Sequence, residues 1–235
     1  MVNEHQIHKD ILLNYIQKPL SENPDSKIDE KIAFIRREKV NKPVIGISLN
    51  SASLIAGANQ LRDRILEYLQ ERDFNAEIIP LGTLGITNYE PVVCIQLPGK
   101  TKLFYKNVTD ENIIAILDGT LNNFIPEDHV FAQVKNKLHE VWERVPFLHE
   151  ISFFQNQQRL LLCNCGMINP ESIEEYISLG GYASFLGTLR KNTPAEVCHM
   201  IEQSNLKGRG GDGYPTGKKW KVALESPSDQ KYLIC

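Results

Sequence analysis

Residues 204–220, SNLKGRGGDGYPTGKKW, hold five of the chain's 15 glycines beside Lys207, Arg209, Lys218 and Lys219. Glycine permits backbone conformations closed to other residues and lets the main chain touch a ligand with no Cβ between them. Consecutive amides freed in this way, with cations around them, suit a phosphate-bearing ligand. A plain surface loop usually brings Ser, Asn and Asp, not Arg, Tyr, Pro and Trp at fixed offsets. Composition therefore favours a ligand loop.

Two common phosphate motifs are excluded by context. Gly208-Arg209-Gly210-Gly211-Asp212-Gly213 formally matches G-x-G-x-x-G. The dinucleotide version needs a strand directly before it and an acidic residue about 20 positions on. Here the predicted element before the loop is a helix, and the chain has nearly ended. A P-loop needs Gly-x4-Gly-Lys-Ser/Thr, but Asp212 stands at the first glycine position and Lys219 where the hydroxyl belongs. What remains is helix, glycine loop, helix, with Lys219 able to set an ammonium beside a phosphate.

The elements that must position this loop are legible from periodicity. Residues 7–17 and 29–38 carry apolar positions at helical spacing, and together with their polar connection they form an N-terminal helical segment, 1–42. VIGISL from 44 suits a strand, 56–72 a strong amphipathic helix, and 76–81, 91–97 and 102–108 further strands. A helix over 110–121 closes a compact α/β domain at 43–122. Residues 123–158, aromatic and without clear period, read as a surface linker with Trp142 as a docking anchor. RLLLCNC (159–165) is strand-like and opens a last region, 159–235. Three helix starts follow: Asn169-Pro170-Glu171, the Gly180-Gly181 break, and Thr193-Pro194-Ala195-Glu196 with its capping box. After the loop GKKWKVALES restarts a helix, and KYLIC (231–235) opens a strand. A buried parallel strand expects a crossover and neighbours, so the chain is expected to be the N-terminal fragment of a longer protein.

The 235 residues are 42% apolar and 23% charged, with a net charge of −3. That is ordinary for a soluble globular protein and gives no general pull toward nucleic acid or anionic membrane. No run nears the roughly 20 apolar residues of a membrane span, and the N-terminus lacks a signal-peptide core. A cytoplasmic location is expected, with peripheral docking on a membrane complex left open and no direct membrane insertion. Five cysteines without an export signal argue against a disulfide framework. Cys163 and Cys165 lack a second close pair for a metal site, so buried isolated thiols are expected and no metal ligands are assigned. His5 and His8 lack a spaced third ligand, and His199 is expected to be packing or surface. Arg36-Arg37-Glu38-Lys39 reads as a solvated helix end.

GRGGDGYPTGKKW resembles the GRGGAGFPTGxKW signature of the flavin-binding subunit of NADH:quinone oxidoreductase, whose relatives include NAD-reducing hydrogenases and NAD-dependent formate dehydrogenases. RLLLCNCGMINPESIEEYISLGGY is similar to that family's segment upstream of the signature, so the likeness covers roughly 146–235. The resemblance implies an α/β architecture: a thioredoxin-like domain followed by the first part of a Rossmann-like FMN-binding domain. It implies FMN wrapped by Gly208, Arg209, Gly210, Gly211 and Gly213 and contacted by Lys219, with Tyr214 stacking on NADH. No residue is assigned as catalytic. Val222 stands where many relatives have an aromatic, and Asp212 replaces a small residue. Electrons would pass to iron–sulfur subunits of a larger complex.

Residues 43–122 are similar to the thioredoxin-like ferredoxin domain of the hydrogenase-type relatives. In that pattern four cysteines hold a [2Fe–2S] cluster. Here Thr83 and Thr87 occupy the second pair's positions, and the first pair's region offers only Ser48, Asn50, Ser51 and Ser53. Hydroxyls do not replace four thiolates, so no [2Fe–2S] cluster is expected. The family's [4Fe–4S] domain falls past Cys235. The resemblance thus implies an NADH dehydrogenase (diaphorase) subunit, with NAD(H) and FMN as cofactors, incomplete and inactive as this chain alone. The alternative is a non-catalytic docking module with a degenerate ferredoxin-like domain. Nucleic-acid binding is not supported by an acidic chain without aromatics interleaved on a sheet.

Overall fold

A computed structural model describes residues 26–230 together with 232 and 234. The helix expected at 7–17, with His5 and His8, lies outside the described residues, as do Lys231, Leu233 and Cys235 of the expected last strand. The chain forms two compact units, one reaching to Gly180 and one starting at Gly181.

The first unit follows helix α1 (Ser26–Ile35) with strand β1 (Val44–Ser48), in which all five residues are buried. An apolar run covered on both faces belongs at the middle of a sheet. β1 pairs in parallel with β2 (Glu77–Leu81) and antiparallel with β3 (Val93–Gln96), which pairs with β4 (Leu103–Tyr105). The parallel pair needs a crossover. Helices α2 (Ser51–Ile55) and α3 (Ala58–Glu71) supply it. Asn50 starts the crossover by accepting from the Ala52 and Ser53 amides at 3.0 and 3.2 Å. Along α3, Ala58, Leu61, Ile65, Tyr68 and Leu69 form the buried stripe. Pro80 is tolerated because β2 is an edge strand. Helix α4 (Ile113–Leu121) then covers one face of the sheet, packing with Ile45, Ile47, Val93, Ile95 and Tyr105. A βαβ unit, an antiparallel pair and a closing helix make this half thioredoxin-like, as expected.

Residues 123–158 are not a surface linker. Val130–Gln133 forms β5, antiparallel to β4, and completes the order β2-β1-β3-β4-β5. Trp142 is 6% exposed, and its indole Nε1 donates to the Thr101 carbonyl at 2.9 Å, so it is a core residue and not a docking anchor. Gln133 holds this segment in place. Its Nε2 donates to the carbonyls of Trp142 and Val145, and its Oε1 accepts from Thr101 Oγ1 and the Trp142 amide. A buried amide with all of these bonds made ties a loop to a sheet with no polar atom left orphaned. The unit boundary consequently falls at 180/181, not at 158/159.

Four other expectations are corrected. Residues 159–165 form turns, not a strand, and Leu160, Leu161 and Leu162 are exposed. No described strand neighbours them, so their backbone has no ladder to join. Asn169 accepts from the Glu171 amide, but helix α6 (Ile173–Ser178), which follows the short α5 (Ser152–Gln155), is capped by Ser172. Arg37 is not solvated. Its guanidinium bridges Glu77 at 2.7 Å and the buried Glu175, tying α1 to β2 and α6. Cys163 and Cys165, expected to be buried thiols, are exposed and half-buried because the segment that carries them turns at the surface; Cys94 and Cys198 are buried.

Tyr105 gives this unit a pH dependence. Its hydroxyl bonds to Thr120 Oγ1 at 2.7 Å, and burial pushes it up to about 12. A raised acid favours the folded state while protonated, so this contribution is complete below the unfolded value near 10 and is lost as pH rises through about 12. Urea unfolding should therefore weaken by up to about 3 kcal/mol more in the native chain than in Tyr105→Phe between those limits. Equal losses in both proteins would contradict this.

Candidate functional site

The second unit is helical: α7 (Ala183–Lys191), α8 (Pro194–Gln203) and α9 (Thr216–Glu225), with no strand among its described residues. No part of a Rossmann-like sheet is therefore seen there. Thr193 and Glu196 form the expected capping box on α8, the Thr193 amide donating to Glu196 Oε2 at 2.7 Å. His199 is exposed on the same helix.

The glycine loop joins α8 to α9 and is pinched at its base. The Gly208 amide donates to the Tyr214 carbonyl, and the Thr216 amide to the Leu206 carbonyl, both at 2.9 Å. Lys207 and Pro215 thus form a single bridge, and residues 209–213 project as its tip. Gly211 and Gly213 have φ of +119° and +65°, conformations that penalise any side chain. A Cβ added at Gly210, Gly211 or Gly213 would meet nothing, so one side of the loop is open. Among the described residues, the amides of Gly210 to Gly213 make no backbone hydrogen bond.

The structure brings the sequence-predicted residues together in this way. Gly208, Arg209, Gly210, Gly211 and Gly213 share the loop, and Tyr214 closes it with its side chain 45% exposed. Lys219 is exposed in the first turn of α9, one turn from the loop, where its amide bonds to the Pro215 carbonyl. The N-terminus of α9 has no side-chain cap. Among the described residues Arg209, Lys218 and Lys219 have no ion-pair partner. An uncapped helix start, open glycine amides and three cations without ion-pair partners are the donors and charges whose chemistry suits an anion. Asp212 is the one carboxylate at the tip. Trp220 and Val222 are exposed on α9.

Gly217 was legible only as part of the motif, yet it has a packing role. It is buried, and a Cβ there would lie 2.5 Å from both Cα and N of Glu202. The glycine lets α9 approach the backbone of α8, which sets where Lys219 stands relative to the loop.

The region matching the ferredoxin cluster holds a different construction. Ser48 and Ser53 donate their hydroxyls to Glu90 Oε2 at 2.5 and 2.7 Å, and Asn50 Nδ2 donates to Oε1 at 2.8 Å. The Val92 amide adds a bond to Oε2 at 3.0 Å. Thr83 accepts from the Gly85 amide, and Thr87 begins a short 3₁₀ turn that leads to Glu90. Ser48, Ser53 and Thr83 are thus engaged within the protein. The described residues contain no group of three His, Cys, Asp or Glu able to hold a metal ion. Nothing local marks Glu90 for this role, because a lone Glu ahead of a strand is usually solvated.

Comparison with known proteins finds relatives that match part of the chain. A stretch of 81 residues is 49% identical to the HndC subunit of the NADP-reducing hydrogenase of Solidesulfovibrio fructosivorans, covering 34% of this chain and 16% of that protein. Another match, to the F subunit of the NADH-quinone oxidoreductase of Aquifex aeolicus, is 45% identical over 64 residues, 27% of this chain and 15% of the relative. The alpha subunit of the NAD-reducing hydrogenase HoxS of Cupriavidus necator is 48% identical over 42 residues, 18% of this chain and 7% of that protein. A thioredoxin-like [2Fe–2S] ferredoxin structure from Aquifex aeolicus superposes on 41% of this chain and 96% of its own, with 17% identity and a TM-score of 0.35. No protein-family model matches the chain. A segment of this chain is related to these NADH-quinone oxidoreductase and NAD(P)-reducing hydrogenase subunits, the family that the glycine signature resembles. The chain spans less than one fifth of the length of these relatives. No helix among the described residues is long and apolar enough to cross a membrane.

Proposed function

We propose that this chain supplies the glycine-loop part of an FMN site in an NADH-oxidising subunit of a multi-subunit electron-transfer complex. The observation that carries this reading is the open, pinched loop 208–214 beside the uncapped start of α9, in a sequence related to hydrogenase and NADH-quinone oxidoreductase subunits. The site's residues fit the group: the glycines leave room for a flat ligand, and the free amides and cations suit its phosphate. When bound, flavin accepts a hydride from a nicotinamide and releases electrons singly.

In this reading Gly208, Gly210, Gly211 and Gly213 let the backbone touch the flavin and its phosphate, and Arg209 and Lys219 balance the phosphate charge. Tyr214 offers a ring face for the nicotinamide nucleotide. Asp212 lowers affinity for an anion by repulsion at the tip. The thioredoxin-like half carries no [2Fe–2S] cluster, which the Glu90 network and the absent thiolates support. That half then serves to dock neighbouring subunits, and iron–sulfur subunits receive the electrons. The protein works in the cytoplasm, peripheral to any membrane partner.

Lys219→Ala tests the assignment. One charge-assisted bond to a phosphate is worth about 1.5–3 kcal/mol, so FMN affinity should fall by at least about tenfold. Flavin fluorescence titration of the protein carrying this sequence measures it. Unchanged affinity would count against the loop as the flavin site.

A further inference from the structure

A cleft of about 600 Å³ opens in the first unit among the residues after α1, the segment after β5 and the turn that carries Cys163. Its walls are apolar. Val134, Leu138, Met167, Ile168 and Leu179 line it, and Leu138 and Leu179 are 66% and 41% exposed. Its charge is mostly of one sign. Arg36, Arg37, Lys102, Lys135 and Lys137 line it, with Glu38 the one carboxylate among the lining residues. Arg36 pairs with Glu38, Arg37 with Glu77 and Glu175, and Lys102 donates to the Met167 carbonyl. Lys135 and Lys137 have no ion-pair partner among the described residues. Apolar walls under a basic rim fit a segment that is apolar on one side and acidic at its edges.

The chain itself carries such a segment. Residues 1–25, outside the described residues, lead directly into α1, and the end of α1 delivers Arg36, Arg37 and Glu38 to the cleft. In the sequence Ile7, Ile11, Leu12, Tyr15 and Ile16 recur at helical spacing and make one apolar stripe. Glu4, Asp10, Glu22 and Asp25 outnumber Lys9 and Lys18, so the segment is acidic where the rim is basic. The connection is also long enough. From Ser26 to Ile35 α1 spans about 15 Å, and residues 18–25 can extend over roughly 26 Å. An antiparallel return along α1 therefore brings residues 7–17 within reach of the cleft. A tethered segment also binds at high effective concentration, an advantage that a peptide of another molecule lacks.

We propose that the apolar side of residues 7–17 seats in this cleft, with Glu4 and Asp10 meeting Lys135 and Lys137. Methionine methyl NMR of the full chain tests it, because the chain has 3 methionines, with Met167 in the cleft and Met200 in the other unit. The readout is relaxation of each methyl signal by a soluble gadolinium chelate. In the native chain the Met167 signal should survive the chelate. Ile11→Glu with Leu12→Glu should unseat the segment, so that the chelate removes the Met167 signal while Met200 behaves as before. Lys135→Glu with Lys137→Glu should have the same effect. Adding Glu4→Lys and Asp10→Lys to the lysine pair should restore the Met167 signal, a rescue that a misfolded variant cannot give. Protection of Met167 that persists in Ile11→Glu with Leu12→Glu would overturn the proposal. So would lysine reversal without effect, a failed rescue, or protection that disappears on dilution, which would place a second copy in the cleft.

Discussion

Gly217→Ala is expected to destabilise the helical unit by about 3 kcal/mol, at the upper end of what overpacking usually costs. The new methyl would sit 2.5 Å from Glu202 Cα and N and 2.7 Å from its Cβ. Backbone atoms within a helix cannot swing aside as a flexible side chain does, so α8 and α9 must separate. Separation breaks the pinch at Gly208 and Thr216 and moves Lys219 away from the loop. Amide exchange in α8 and α9 should accelerate by about two orders of magnitude, while the strands of the first unit stay protected. FMN affinity should fall along with it, although Gly217 touches no ligand in the proposed site. Unaltered exchange in α8 and α9 would show that this packing is not as tight as the structure has it.

Glu90→Ala should cost the first unit about 1–3 kcal/mol, the range for leaving buried hydrogen-bonding groups without their acceptor. The carboxylate receives Ser48, Ser53, Asn50 and the Val92 amide, and Glu90 itself is 9% exposed. Alanine removes the acceptor they share in a space largely closed to bulk water. The Val92 amide keeps Ser48 Oγ at 2.8 Å, Asn50 Nδ2 keeps Ser53 Oγ at 3.0 Å, and the two hydroxyls keep each other at 2.8 Å. Part of the hydrogen bonding is therefore lost, and that part carries a desolvation penalty. Asn50 also caps α2, so the loss spreads into the crossover helix. Glu90→Gln keeps the shape but turns one acceptor into a donor, and should cost roughly half as much. Denaturant midpoints of the three proteins measure this ordering. Equal stability of Glu90→Ala and the native chain would remove the network's structural role. Restoring cysteines at positions 83 and 87 alone would not rebuild a cluster site, because the facing residues Ser48, Asn50 and Ser53 are committed to Glu90.

Much of this fold was readable because its signals are local. β1 is a short apolar run, α3 repeats its apolar residues at helical spacing, and Thr193 with Glu196 spells a capping box. Each of these is decided within a few residues. Elements decided by distant partners were misread. β5 is four residues long and becomes a strand only because β4 offers an open edge, and its Gln133 looked polar until the carbonyls of Trp142 and Val145 came to meet it. Leu160 to Leu162 read as a strand from hydrophobicity alone, but without a neighbouring edge the run turns and stays exposed. Arg37 looked solvated because Glu77 and Glu175 lie 40 and 138 residues away in sequence.

The candidate site divides in the same way. The glycine motif stands out in sequence because its glycines and cations are contiguous. What sequence could not give is how the loop is held: the pinch between Leu206 and Thr216, and the contact of Gly217 with Glu202.

In the proposed site the backbone of residues 208–219 holds the phosphate and part of the ring of FMN. Amide hydrogen exchange of the protein carrying this sequence, with and without FMN, tests it most directly. Slowed exchange at Gly210, Gly211 and Gly213 and in the first turn of α9, with the sheet of the first unit unchanged, is the predicted result. FMN bound with no change in exchange across 208–219 would contradict the account.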